Sequence, residues 1–477
     1  MLAAARGFSL LSFVAATALL SRSLPQASYG TFRQCWMMYS MVAPIVGIGV
    51  AQSLFFFGAR STDGRDWRLV RRGLVLTLAA AALVAAAIAI AARPITAAFS
   101  NPTAAPAVRV FAIFIAGGIP LLLSDAIFMT AGRPAWAAAF NILNRFTVFL
   151  GLAVPVSFFG FRLIPAFGVL GAAQALVVLL LFLAAYSTHS QATKPAAPVS
   201  LRRQILMMAP IVGATVFGSL FLQLDKLIVS TLAMPDRFAV YANGAFENPV
   251  VALLAAASAA TVAPELVRFR NARDHQAFIQ LWRALVEKLS WVVVPMTVFM
   301  FVFAPEIVIL LFSARYIESA PIFRMYALLS PIRIIGFSTL FMALDRNRVY
   351  FWGHVIACAA AGAAAPLLLS ATGLVGAVVA IVVVSYLLAS AFLVVAARAL
   401  DAPIRALLPF KLMLVLGLLS GVAAVCARSF CVTFLHSQGL RALIGGGLMY
   451  LALLGIALLV TQAVRSATTA SYPPAGP

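Results

Sequence analysis

The sequence predicts an all-α polytopic membrane protein of about fourteen transmembrane helices, two parallel six-helix lobes followed by two C-terminal helices. Composition is the first reason. Of 477 residues, 64% are hydrophobic and 10% charged, where soluble domains carry about a quarter charged. The apolar runs are the second. They follow one another from end to end, and many are long enough to cross the roughly 30 Å hydrocarbon layer. They are unbroken rather than alternating, which selects helices over closed barrels, the other way to satisfy backbone groups in lipid. An internal repeat is the third, and it divides the helices into lobes.

The spans fall at roughly 8–24, 34–58, 73–93, 108–130, 135–158, 165–186, 204–231, 240–263, 287–312, 320–344, 349–370, 373–398, 407–428 and 440–465. The first is the shortest, and with Arg6 ahead of it resembles a signal peptide. "ALLSRSLPQ" offers no clean small-x-small cleavage site, so it is read as a retained helix. The second span carries Pro44. The fourth opens on "APAVRVFAI" (Ala105–Ile113), holds Pro120 and ends near Asp125; a short hairpin leads to Arg145 in the middle of the fifth. "GVLGA" (168–172) opens the sixth, and the polar "STHSQATKPAAPVSLRR" (187–203) is a linker. Asp225 and Lys226 lie in the outer third of the seventh span, Glu247 and Pro249 in the eighth. An amphipathic cytoplasmic stretch, "PELVRFRNARDHQAFIQLWRALVEK" (264–288), precedes the ninth. The tenth opens on "APIFRMYAL" (Ala320–Leu328) and holds Pro331 and Arg333; "GLVGA" (373–377) opens the twelfth.

Basic residues set the orientation. With the N-terminus cytoplasmic, the inner connections and tails hold 21 Lys and Arg against 10 outside, so both termini are placed inside. Much of the +21 net charge is therefore topological, suited to anionic lipid rather than nucleic acid. Cys35, Cys358, Cys426 and Cys431 show neither metal-ligand spacing nor a disulfide framework. No connection is long enough to house a catalytic domain, and His189, His275, His354 and His436 form no cluster.

The repeat rests on concordant echoes. "APAVRVFAI" and "APIFRMYAL" share four of nine residues; "GVLGA" matches "GLVGA", Pro44 matches Pro249, and Pro120 matches Pro331. "LPQASYG" after the first span is a looser match to "MPDRFAVYA" after the seventh. Six helices per copy is an even number, so both copies enter the membrane in the same direction, facing each other across a cleft. The division is 1–200 for the N-terminal lobe and linker, 201–400 for the C-terminal lobe, and 401–477 for two further helices and a short tail. Matched prolines suit walls that bend.

Ionisable groups at membrane depth are costly and face a bundle interior or a watery cavity. Asp125, Arg145, Asp225, Lys226, Glu247 and Arg333 lie inside spans, and Arg33 at the outer mouth of the second. An Asp125–Arg145 pair and a Lys226–Glu247 pair are both open. Arg333 has no sequence-near partner, which makes it the best candidate for a group awaiting an anion. These charges are not echoed between the repeats, as suits a cleft that binds an asymmetric ligand.

Fourteen helices as six, six and two, with "LSRSLPQASYGTF", "LFLQLDKLIVSTLAMPDRFAVYA", "FSARYIESAPIFR" and "MALDRNRVYFWG", resemble the polysaccharide (O-antigen and exopolysaccharide) flippase branch of the MATE-like superfamily, over roughly residues 5 to 400. The resemblance implies export, by alternating access, of undecaprenyl-diphosphate-linked oligosaccharide from the cytoplasmic to the periplasmic leaflet of a bacterial inner membrane. It implies a transporter rather than an enzyme, working beside a polysaccharide polymerase and glycosyltransferases. Its cleft helices, carried over by position, point to Arg33, Asp225, Lys226 and Glu247. A diphosphate needs cations, so Arg33, Lys226, Arg333 and Arg145 are the expected substrate-binding set. No P-loop is present and no cofactor is expected; a proton or sodium gradient would drive transport, with Asp225, Glu247 and Asp125 as ion-coupling candidates. The alternatives are a peptidoglycan-precursor flippase, a cation-coupled multidrug antiporter of the same superfamily, which usually has twelve helices and acids in the first, and a membrane polysaccharide polymerase or ligase, which needs a large outer loop.

Overall fold

The computed structural model describes residues 2–58, 66–158, 162–189, 200–433 and 440–470. Among these residues the regular structure is entirely helical, and each of the fourteen expected spans lies largely on helix, the eighth being interrupted at 245–248. Among the described residues ten helices are long and apolar enough to cross a membrane, or eleven with a pair bent by 41° between Pro249–Ala259 and Thr261–Asn271. Large apolar side chains cover the outside: Ile90 and Phe158 are each 82% exposed, stable only against an apolar surrounding. The chain is a multi-pass helical membrane protein. Of the expected 187–203 linker, 190–199 lies outside the described residues.

Helix starts follow capping chemistry. Asp66 Oδ1 accepts from Leu69 N at 3.1 Å, Asp274 Oδ1 from Ala277 N at 2.9 Å, and Asn248 Oδ1 from Val250 N at 2.9 Å. Each side chain satisfies an amide that the first turn leaves without a partner. The amphipathic 264–288 stretch thus resolves into the end of one helix, Pro249–Asn271, and the start of another, His275–Val302.

Residue contacts gather the chain into two compact units, Met1–Ala242 with Phe351–Ile381, and Asn243–Tyr350 with Val382–Pro477. In the first, Leu2–Ser23 packs on Pro134–Phe158, Ala105–Gly118 on Leu163–His189, and Gln26–Gly58 on Leu201–Leu232. Its core joins Leu54, Leu74, Leu123, Ile127, Phe128 and Leu181. Beside it runs an aromatic chain in which Trp36 stacks on Phe13 at 4.7 Å and on Phe114 at 5.6 Å, with Tyr39 against Phe114 at 4.9 Å. In the second unit, Phe278, Trp282, Leu340, Phe341 and Phe392 form one core. A smaller core of Phe303, Ala423, Ala427 and Tyr450 seats the last two helices, Phe410–Thr433 and Leu440–Ala470.

The repeat extends to backbone conformation. "APAVRVFAI" opens the helix Ala105–Gly118, which ends before Pro120 starts a 3-10 turn, and Ser124–Thr130 completes the span. "APIFRMYAL" opens Ser319–Ala327, which gives way to Ser330–Arg333 around Pro331, then Phe337–Ala343 after Gly336 at φ 63°. Both proline-bearing spans are therefore built of three segments, since proline removes a donor and excludes the preceding turn. Two further echoes are visible only in the backbone. Phe99-Ser100 and Phe312-Ser313 place their serines at φ 50° and 85°. The hairpin turns at Gly132 and Asp345 are left-handed, at φ 68° and 57°, and each is closed by the next amide reaching back five residues at 2.8 Å, Arg133 N to Phe128 O and Arg346 N to Phe341 O.

Within the first unit, the segments "LPQASYG" and "MPDRFAVYA" touch. A Cβ on Gly30 would lie 1.9 Å from the carbonyl oxygen of Pro235, so only glycine permits this approach. Gly30→Ala is expected to cost about 2 kcal/mol or more, as overpacking does, read as a lowered melting temperature of the detergent-solubilised protein. Gly168→Ala is the control, because its new methyl would meet nothing nearer than Val110 at 3.8 Å. It is expected to be neutral or stabilising.

Candidate functional site

Three groups of polar side chains carry the expected site residues. The first surrounds the start of the helix Gln26–Gly58. Arg33, half-buried, donates to the Tyr29 hydroxyl at 3.2 Å and to the carbonyl of Ala242. Gln34, one residue on and buried, donates to Phe99 O at 3.1 Å and Ser230 Oγ at 3.2 Å, and accepts from Asn101 Nδ2 at 2.7 Å. Asn101 also donates to Thr31 Oγ1 at 2.9 Å. These bonds tie together helices distant in sequence, and a buried amide this fully engaged is structural.

On the neighbouring helix, Leu201–Leu232, Asp225 is fully buried and Lys226 nearly so. Tyr241 donates its hydroxyl to Asp225 Oδ2 at 2.8 Å, and Lys226 Nζ lies 3.6 Å from Asp225 Oδ1 and 3.4 Å from Leu222 O. The expected cation and the expected acid therefore neutralise one another locally. An ion pair this far from water needs such added hydrogen bonds to exist at all.

The second group lies inside the six N-terminal helices. Asp125 accepts from Asn141 Nδ2 at 2.6 Å, and Asn144 Oδ1 accepts from the buried Gln174 at 2.9 Å. Asn141, Asn144 and Arg145 are spaced i, i+3, i+4 on Pro134–Phe158, so they share one helix face. Arg145 is half-buried and close enough to Tyr39 for its charge to act on the phenol. It makes no hydrogen bond or ion pair among the described residues. Gln174 Oε1 is also buried there without a donor. Gly117 and Gly118 let Gln174 and Tyr39 approach, each within 3.4 Å of where a Cβ would stand.

The third group is in the second unit. Glu247, in the turn before Pro249–Asn271, accepts from Arg333 at 2.7 Å; their side chains are 44% and 39% exposed. This corrects the expectation that Arg333 waits without a partner. The sequence hides the pairing because 86 residues separate the two. A second pair, Arg428 Nε to Glu306 Oε1 at 2.9 Å, joins the helix Phe410–Thr433 to Ala304–Phe312. Glu306 is one residue the sequence reading missed. Tyr39, Asn141, Asn144, Gln174 and Tyr241 are the others, and the signal that would find the amides is the shared polar face on an otherwise apolar helix.

A sequence-family profile described as polysaccharide biosynthesis protein matches residues 19–321, more than half of the chain, and the chain belongs to that family. The fold is shared with solved transporters. Lipid II flippase MurJ, in an inward closed conformation, aligns with a TM-score of 0.70 at 14% identity, over 95% of this chain and 97% of its own. A multidrug resistance MATE family transporter of the MOP superfamily, inward-facing, aligns with a TM-score of 0.66 at 15% identity, over 82% of this chain and 94% of its own. The Vibrio cholerae MATE transporter VcmN in its bent form gives 0.56 at 13% identity, over 84% and 95%. No curated protein sequence matches. The expected resemblance thus holds at the level of the polysaccharide biosynthesis family, and the fold is the one these transporters share.

The buried node has a stability signature. Tyr241→Phe removes the phenol that donates to Asp225, at an expected cost of about 1–3 kcal/mol. In an Asp225→Asn background the same change is expected to cost less, with a coupling of about 1 kcal/mol, measured as a double-mutant cycle on unfolding in detergent. Simple additivity would mean that this hydrogen bond contributes nothing.

Proposed function

We propose that this member of the polysaccharide biosynthesis protein family is a flippase that moves a diphosphate-linked oligosaccharide lipid across the membrane by alternating access. The observation that carries the reading is Arg145. Arg33, Lys226, Arg324, Arg333 and Arg428 all donate to oxygen atoms of the protein or pair with its carboxylates. Arg145 alone among the expected cations engages no such group among the described residues; Tyr39 lies near enough to feel its charge, and the same helix face carries Asn141 and Asn144. A guanidinium in that setting suits a phosphate, which can accept two parallel N–H bonds and supply the missing negative charge. Desolvating a diphosphate is what makes unaided passage through lipid prohibitive, and a cation inside the protein offsets that cost. The polyprenyl tail has no need to leave the lipid.

Energy would come from a proton or sodium gradient, and magnitudes favour Glu247 as the coupling group. The Glu247–Arg333 pair is more than a third exposed on each side, so its strength is of the order of 0–1 kcal/mol. One proton on Glu247 suffices to open it and leave Arg333 able to take an anion. Asp225 is fully buried against Tyr241 and Lys226, a setting harder to exchange, and Asp125 is held by Asn141. Undecaprenyl diphosphate is the expected carrier, and O-antigen or exopolysaccharide repeat units are the expected cargo. The proposed setting is a bacterial inner membrane with both termini cytoplasmic, beside the glycosyltransferases and polymerase that make and use the cargo. A second reading is favoured by one observation, the full-length likeness to the lipid II flippase MurJ: a peptidoglycan precursor as cargo.

Proteoliposomes loaded with a diphosphate-linked glycan lipid test the reading through glycan appearing on the far leaflet. Arg145→Ala is expected to reduce the rate by about tenfold or more, the loss of one charge-assisted contact, with partial recovery in Arg145→Lys. Transport unaffected by Arg145→Ala would contradict it, and faster movement of lipid II than of oligosaccharide lipid would select the second reading. Glu247→Gln is expected to remove the dependence of the rate on the proton gradient while leaving substrate binding intact, measured as uptake across a pH step.

A further inference from the structure

The helix Leu374–Ala399 ends in an open cavity of about 510 Å³ lined by Val394, Ala397, Arg398, Asp401, Pro403 and Ile404, all within the second unit. It contains two opposite charges that leave each other alone. Arg398 and Asp401 are both exposed, and neither forms an ion pair or side-chain hydrogen bond among the described residues. Arg398 has a local reason to be there, because a cation in the last turn complements the helix dipole. Asp401 has none. It stands just past the negative end of the same helix, where a carboxylate is disfavoured. Its backbone is left-handed, at φ 49°, in the position after a helix end that glycine fills most readily. The cap is closed by Ala402 N reaching Ala397 O at 3.0 Å, which needs no carboxylate. Arg283 donates to the Arg405 carbonyl at 3.3 Å, and neither Arg283 nor Arg405 pairs with Asp401 among the described residues.

We propose that this cavity binds the headgroup of an aminophospholipid, with its phosphate on Arg398 and its primary ammonium on Asp401. A ligand carrying both charges relieves the cost of Asp401, whereas a purely anionic headgroup meets repulsion from it. The place in the fold favours a lipid. Leu374–Ala399 is long and apolar enough to cross a membrane, so its end stands at headgroup level. Val394 and the 38% exposed Ile404 give the cavity an apolar side for the glycerol and the first acyl carbons. This inference does not depend on the transported cargo.

Native mass spectrometry of the full-length protein, offered phosphatidylethanolamine and phosphatidylglycerol of identical acyl chains in equal amounts, tests it. The wild-type protein is expected to retain phosphatidylethanolamine about fivefold over phosphatidylglycerol, the scale of one exposed charge contact. Asp401→Asn is expected to bring that ratio close to one, and Arg398→Gln to lower retention of both lipids. Arg405→Gln, outside the cavity lining, is expected to leave the ratio unchanged. All three side chains are exposed, so folding is preserved. Equal or greater retention of phosphatidylglycerol by the wild type, or a ratio that survives Asp401→Asn, would overturn the proposal.

Discussion

A charge carried into the hydrocarbon layer must be answered by the protein itself, and the described polar architecture is ordered by that constraint. Where water does not reach, a carboxylate or a guanidinium is stable only beside a counter-charge, a hydroxyl, an amide or a carbonyl. Asp225 has Lys226 and Tyr241, Glu306 has Arg428, Glu247 has Arg333, and Asp125 has Asn141. Even Arg324, within one of the two repeated nine-residue segments, donates to Phe301 O at 3.1 Å. Against that background Arg145 stands out, on the helix face that also carries Asn141 and Asn144 and with its charge acting on Tyr39.

The same constraint explains why helices break where they do. An interrupted helix exposes amides and carbonyls, which lipid tolerates only inside protein. The breaks near Pro120 and Pro331 fall in spans whose flanking residues are largely buried, among them Ile119, Leu121, Leu123, Leu329 and Ile334. Both repeats therefore keep a bend point inside their own packing, where a change of angle need not strip backbone groups of partners. Under the proposed flippase function, the walls must deform without unfolding, and paired proline breaks would supply that.

Much of the fold was legible in the chain: apolar run lengths placed every span largely on helix, and "APAVRVFAI" with "APIFRMYAL" marked the repeat that the left-handed serines at 100 and 313 and the turns at 132 and 345 extend. The site was less legible, for a physical reason. Depth along a helix follows from counting residues, but partnership depends on azimuth and on helices far apart in sequence. Hence Arg333 looked solitary although Glu247 meets it, and Arg145 looked ready to pair with Asp125 although Asn141 occupies that carboxylate. Glu306 escaped notice because it lies near the end of an apolar run, where a charge ordinarily reaches water.

The most direct measurement is water access at position 145. In a protein whose native cysteines, 35, 358, 426 and 431, are replaced, Arg145→Cys should react with a charged, water-soluble thiol reagent, and bound diphosphate-linked glycan should slow that reaction. A cysteine there that reacts only with lipid-soluble reagents, or not at all, would contradict a hydrated phosphate site and the function built on it.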